Sequence, residues 1–248
     1  MKALSKRAQQ VTGSMTLEID AKAKAMKAAG VDVISFGAGE PDYPTPAHIC
    51  AAAEEAMAKG QTKYTPAGGT AQLKEAVCRK LLRRNGLTYR PEQIVITNGA
   101  KQALHNAFCM LLDEGDQVIL PAPCWVSYTE LIRMSGGEPV LVPRRREDGF
   151  RLDVNAVERA VTEKTKAILI NNPDNPCGQV LEEDTLRALA AIAEKYDLYL
   201  IADEIYEEFM YDGLQAPALP SISEDAYNRT ILVNGLSKSY SMTGWRVG

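Results

Sequence analysis

The sequence predicts an α/β protein in which a sheet is covered by helices. Three observations carry this. Short runs rich in β-branched residues alternate with amphipathic stretches. The runs are apolar on both alternating faces, as strands buried from both sides are. The stretches between them space their apolar residues three and four apart, the period of a helix with one face on a core.

In chain order, the first element is a helix that starts near Ser14 as N-cap and stops at Gly30, a residue suited to a left-handed C-terminal cap. The chain before residue 93 reads as an arm and an approach segment to the sheet. Within it, Leu73, Ala76, Val77 and Leu81 form a helical stripe. Residues 93–97 are the first predicted strand. A helix beginning near Gln102 follows, with the stripe Leu104, Ala107, Phe108 and Leu111, and both stripes are expected to face the sheet. Further strands are predicted at 117–121, 138–142, 166–170, 198–202 and 230–233. No internal repeat or low-complexity tract interrupts them.

Composition narrows the function classes. The 248 residues carry a formal net charge of −4, with 46% hydrophobic and 24% charged residues, which excludes collagen-like, disordered and disulfide-scaffold proteins. A single α/β domain reaches this length, and so does a domain plus part of another. No apolar run approaches the ~20 residues needed to span a bilayer. The start, MKALSKRAQQVTGSMTLEID, lacks the hydrophobic core of a signal peptide. A cytoplasmic protein without a membrane partner is therefore expected. Five cysteines without a C-x-x-C pair, and only His48 and His105, argue against a disulfide framework or a metal site. The mildly acidic balance gives no footprint for nucleic acid. The one basic run, Arg144-Arg145-Arg146, is followed by Glu147-Asp148-Gly149 and reads as a solvated turn.

The glycines of Phe36-Gly37-Ala38-Gly39-Glu40-Pro41 make only a G-x-G with a proline where a helix would begin, so a dinucleotide loop is a weak reading, and no phosphate loop of the G-x-x-x-x-G-K-[ST] type occurs. A lysine becomes a nucleophile when its surroundings depress its pKa and aim it at a carbonyl. Lys238 fits such a place. It lies among small and hydroxyl residues in Asn234-Gly235-Leu236-Ser237-Lys238-Ser239-Tyr240, just past the last predicted strand. Taken alone, a lysine after a strand reads as a solvated surface residue.

Its company changes that reading. Lys238 is followed by Ser239-Tyr240-Ser241-Met242-Thr243-Gly244-Trp245-Arg246-Val247-Gly248, which resembles the pyridoxal-phosphate lysine motif of class I aminotransferases, the aspartate aminotransferase family. Upstream, Ser35-Phe36-Gly37-Ala38-Gly39-Glu40-Pro41-Asp42, Lys63-Tyr64-Thr65-Pro66-Ala67-Gly68-Gly69 and Thr97-Asn98-Gly99-Ala100-Lys101-Gln102-Ala103 match in the same order. So do Asn172-Pro173-Asp174-Asn175-Pro176-Cys177-Gly178 and Ala202-Asp203-Glu204-Ile205-Tyr206. Six ordered motifs cover nearly the whole chain.

The resemblance implies a fold-type I large domain: a mostly parallel sheet with helices on both faces. It implies residues 1–45 as an N-terminal arm and helix belonging to a small domain, and 46–248 as the large domain that holds pyridoxal 5′-phosphate. Lys238 matches the lysine that carries the cofactor and moves a proton. Asp203 matches the carboxylate that keeps the ring nitrogen protonated. Tyr206 and Asn175 match hydrogen-bonding partners of the ring oxygen, and Trp125 the aromatic stacked on the ring. Gly99, Ala100 and Lys101 stand between a predicted strand and a helix, where free N–H groups and the helix dipole point at an anion. Arg246 and Ser237 match side-chain phosphate ligands. Tyr64 matches a tyrosine that reaches the partner subunit's phosphate, which implies a homodimer. Gly39, Trp125 and Asn175 match substrate contacts, and Lys101 a contact to the distal carboxylate of an acidic substrate. Read without the family, Asp203 is a loop or helix-cap residue, Tyr206 and Trp125 are core aromatics, and Asn175 is a turn residue. Asn172–Pro173 and Asn175–Pro176 are candidates for cis peptide bonds. Cys177 departs from the threonine or serine more common in the family.

The implied reaction moves an amino group between an L-amino acid, aspartate or another acidic or aromatic one, and a 2-oxo acid. Another fold-type I enzyme such as a carbon–sulfur lyase shares Lys238 and Asp203, and a cofactor-sensing module is a further alternative. Family members continue past the arginine matching Arg246, whereas this sequence stops at Gly248. The expectation is the front portion of an aminotransferase, without the final antiparallel strand, the small C-terminal domain and the arginine that clamps the substrate α-carboxylate. The competing expectation is a short product that binds cofactor and turns over nothing.

Overall fold

A computed structural model describes residues 2–248 apart from 6, 7, 10, 12, 14 and 38. The first helix, α1 (Met15–Ala28), has its expected cap, Ser14, outside the described residues. Its other end closes as expected. Gly30 is left-handed at φ 79°, and the N–H groups of Gly30 and Val31 donate to the carbonyls of Lys27 and Met26 at 3.0 Å each. Helix α2 (Ala47–Ala58) and helix α3 (Ala71–Asn85) complete the approach. The Thr70 hydroxyl caps α3 by accepting the Leu73 N–H at 3.3 Å.

Five parallel strands form the sheet: β1 (Gln117–Ala122), β2 (Glu138–Pro143), β3 (Thr165–Asn171), β4 (Tyr199–Asp203) and β5 (Thr230–Val233). Their order is β2-β1-β3-β4-β5. Helices α4 (Ala100–Leu111), α5 (Ser127–Met134), α6 (Val154–Arg159), α7 (Glu183–Lys195) and α8 (Glu224–Arg229) pack around them. The period of two along each strand divides the core in two. Ile119, Ile168, Ile170 and Leu200 face α7 through Leu186, Leu189 and Ala193. Val118, Leu120, Leu169 and Ile201 face Leu104 and Phe108 of α4 and Ile132 of α5. Both faces of the sheet are thus covered, as the doubly apolar strands predicted. Among the described residues, no helix is long and apolar enough to cross a membrane.

Three expectations need correction. Residues 93–97 do not join the sheet. Pro91–Gln93 is a single 3-10 turn, and the extended residues after it face β5 across a cleft of about 480 Å³ rather than at ladder distance. The Ile96 N–H donates to the Gly68 carbonyl at 3.1 Å, and Thr97 and Gly248 exchange N–H···O bonds of 2.7 and 3.0 Å in the reciprocal manner of antiparallel strands. The stripe of α3 divides as well: Leu81 is buried with Leu87 and Ala218, while Leu73, Ala76 and Val77 line the cleft, Ala76 remaining exposed. Finally, only Arg145 and Arg146 of the basic run are exposed, while Arg144 is buried.

Candidate active site

The strand order reverses direction between β1 and β3, and in open parallel sheets a crevice opens at the carboxyl ends beside such a point. The predicted residues gather there. Asp203 is the last residue of β4, Trp125 follows β1 and Lys238 follows β5, joined by Asn171 at the end of β3, which the sequence did not single out. Buried strands deliver these side chains, and their polar exits are where the sequence stops being apolar.

Asp203 is 3% exposed. The Tyr128 hydroxyl donates to its Oδ2 at 2.7 Å, and the Ile205 N–H donates to Oδ1 at 3.2 Å. Burial pushes the carboxyl up to about 6 against the pull of those two hydrogen bonds. Tyr128 is held in place by Trp125, whose ring meets it edge-on at 5.3 Å, and its own phenol is raised by burial and by the neighbouring carboxylate. On the other side, the Asn171 side chain donates to the Asp203 carbonyl at 2.9 Å and accepts the Asn175 N–H at 2.8 Å. The Asn175 amide then donates to the Tyr206 hydroxyl at 3.4 Å. Asn172–Pro173 and Asn175–Pro176 are cis, as is Ala122–Pro123.

Lys238 reaches this group from β5. Its Nζ donates to the Gly39 carbonyl and stands 5.7 Å from the centre of the Tyr206 ring. Burial lowers its pKa, Glu40 opposes that, and the Arg246 cation lowers it further.

The predicted anion end falls at the start of α4. Gly99 is its N-cap with φ 85°, and a Cβ there would lie 2.2 Å from Arg246 Nη2. Only glycine leaves room for the guanidinium, which donates to the Asn98 carbonyl at 3.4 Å and the Thr243 carbonyl at 2.8 Å. The first-turn N–H groups of Ala100 and Lys101 lack intrahelical acceptors. Lys101 Nζ lies 4.8 Å from the centre of the Trp125 ring, and burial together with Arg246 lowers its pKa.

A continuous set of contacts therefore joins Gly39, Lys238, Tyr206, Asn175, Asp203, Trp125 and Lys101, with Gly99, Ala100 and Arg246 beside it. Ser237 is buried next to Lys238. Tyr64 is not brought into the group and is fully exposed at 109%. Tyr128 belongs to the site although its sequence position did not announce it. The available signal was its place three residues after Trp125, one helical turn on.

Fold and site together define a class. The chain belongs to the aminotransferase class I and II family, whose profile matches residues 31–248. It is 47% identical over 245 residues to an aspartate aminotransferase of Bacillus subtilis, covering 99% of this chain and 62% of that protein. It is 48% identical over 247 residues to a probable aspartate/prephenate aminotransferase of Aquifex aeolicus, covering 100% of this chain and 63% of that one. Among solved structures, the aspartate aminotransferase from Thermus thermophilus with maleate superposes with a TM-score of 0.96 at 44% identity, over 100% of this chain and 64% of that chain. The chain thus spans somewhat under two thirds of the length of these relatives.

Proposed function

We propose that the protein is an aminotransferase that uses pyridoxal 5′-phosphate, acting in the cytoplasm on an amino acid and a 2-oxo acid, with aspartate the favoured donor. The observation that carries this is the contact set linking Lys238, Tyr206, Asn175 and Asp203 at the strand ends.

The residues fit the cofactor. Asp203 is a buried carboxyl that accepts hydrogen bonds from the Tyr128 hydroxyl and the Ile205 N–H, an acceptor that would suit a protonated ring nitrogen. Gly99 leaves open the approach to a helix N-terminus beside Arg246, as a phosphate requires. The bound cofactor supplies an electron sink for a substrate carbanion. Asp203 holds the ring proton, and Tyr128 holds Asp203. Asn175 and Tyr206 orient the ring oxygen, while Trp125 covers one ring face and excludes water. Ala100, Lys101, Ser237 and Arg246 hold the phosphate. The Lys238 amine, its pKa lowered by burial, would carry the proton between the substrate Cα and the C4′ position of the cofactor. Gly39 receives the α-carboxylate, and Lys101 favours a second, distal carboxylate. Tyr64, exposed on this chain, serves the phosphate site of a second copy, so the working unit is a homodimer. Residues 1–45 serve as the N-terminal arm and helix of a small domain and 46–248 as the cofactor domain.

Pyridoxal phosphate titrated into the protein is expected to give the absorbance band of a lysine-bound cofactor, and aspartate with 2-oxoglutarate to give glutamate. Lys238→Ala is expected to abolish both. Retention of both in that variant overturns the assignment, and a band without glutamate formation points to another reaction class on the same cofactor.

A further inference from the structure

Arg144 lies just beyond β2, outside the contact set described above, yet its side chain is 4% exposed and that of its ion-pair partner Asp174 is 7% exposed. The Arg144 guanidinium spans two loops. Its Nη2 donates to the Asp174 carboxylate and also to the Pro123 carbonyl at 2.6 Å. The Arg144 backbone N–H donates to the Ala122 carbonyl at 2.7 Å, so the same residue holds both the last residue of β1 and the first residue of the loop after it. Asp174 is fixed in turn. Its other carboxylate oxygen accepts the Gln179 N–H at 2.8 Å, and its own N–H donates to the Gln179 carbonyl at 2.9 Å. Pro123 precedes Trp125 by two residues, and Asp174 precedes Asn175 by one.

A buried ion pair returns little net stability compared with well-packed apolar groups, because both charges must be stripped of water. Arg144 adds to that cost, since its Nε is buried without a hydrogen-bond partner among the described residues. What such a pair does supply is a fixed direction between the elements it joins. We infer that the Arg144–Asp174 pair is a positioning brace that sets the spacing between Trp125 and Asn175 across the cofactor ring. This rests on the reading of Trp125 and Asn175 as cofactor contacts.

The test uses pyridoxal phosphate affinity together with a readout that needs no cofactor. In a Trp245→Phe background, Trp125 is the sole tryptophan, and its quenching by acrylamide reports the loop directly. Arg144→Met and Asp174→Asn are each expected to weaken pyridoxal phosphate binding tenfold or more and to raise Trp125 quenching about twofold, and the double variant to be no worse than either. Arg144→Lys, which keeps the charge, is expected to recover part of both. Should a single variant fail to fold, the double variant and Arg144→Lys carry the comparison. A folded double variant with wild-type affinity and wild-type quenching overturns the brace. If the unsubstituted protein binds no pyridoxal phosphate, the reading of the site fails, while the quenching comparison still decides whether the pair sets the loop.

Discussion

At Gly99 a side chain would be strained by the backbone and would push the Arg246 guanidinium from its place beside the helix end. A Cβ would lie 2.2 Å from Nη2 and 2.8 Å from Cζ, and the backbone is already at φ 85°. Gly99→Ala is expected to lose about 1–3 kcal/mol of stability through strain and displacement of the guanidinium. It is also expected to weaken phosphate and pyridoxal phosphate binding about tenfold or more. Thermal denaturation and cofactor titration check the two separately, and an unchanged affinity would detach Gly99 from the anion site. Gly99 and Lys238 were legible because each sits inside a short contiguous motif whose chemistry is local. Tyr128 and Arg144 were not, because the groups that give them meaning lie 75 and 30 residues away. Arg144 was further hidden by its neighbours: a basic run closed by Glu147 and Asp148 has the pattern of a solvated turn, and only packing separates the first arginine from the next two.

Among the elements, α4 joins the core to the site. Its N-terminus presents Gly99 and Lys101, and its inner face buries Leu104 and Phe108 completely against the sheet. Phe108→Ala is expected to cost about 3–5 kcal/mol, the range for emptying a closed aromatic site. Because the helix end is anchored through that packing, cofactor affinity should fall with it. Denaturant unfolding and titration measure the two effects, and a loss under about 1 kcal/mol would mean that the helix is anchored elsewhere. Periodicity revealed this helix and all five paired strands, since burial on one or both faces is written in the spacing of Leu104, Ala107 and Phe108 or in the run Ile168–Ile170. It failed at 93–97, where the composition suits a strand but strand formation belongs to a pair. Among the described residues only Thr97 finds a reciprocal partner, in Gly248.

Across the whole molecule, two adjacent carboxyls at the end of β4 set a pH dependence. Asp203 points to Tyr128 on one face, and Glu204 accepts the Leu219 N–H at 2.8 Å on the other. Burial raises Asp203 to about 6 and Glu204 to about 8; for Glu204, Glu207 and Asp203 add to the rise while Leu219 and Lys80 oppose it. Both groups hold protons more tightly folded than unfolded. Folding therefore takes up protons, and their contribution to stability is full at acid pH and is lost as pH rises through about 6 and then about 8. Without cofactor, the melting temperature is expected to fall between about pH 5 and about pH 9. Glu204→Gln keeps the acceptor for Leu219 and removes the higher titration, so it should gain on the order of a few kcal/mol at the alkaline end and flatten the curve above about pH 6. An unchanged slope in that variant would remove Glu204 as its source. The cleft between β5 and residues 93–97 has a dynamic counterpart. Among the described strands β5 pairs only with β4, so every second amide along it faces open space. In deuterated solvent those amides should exchange early while their alternate neighbours stay protonated, giving a two-residue rhythm of protection along one short strand.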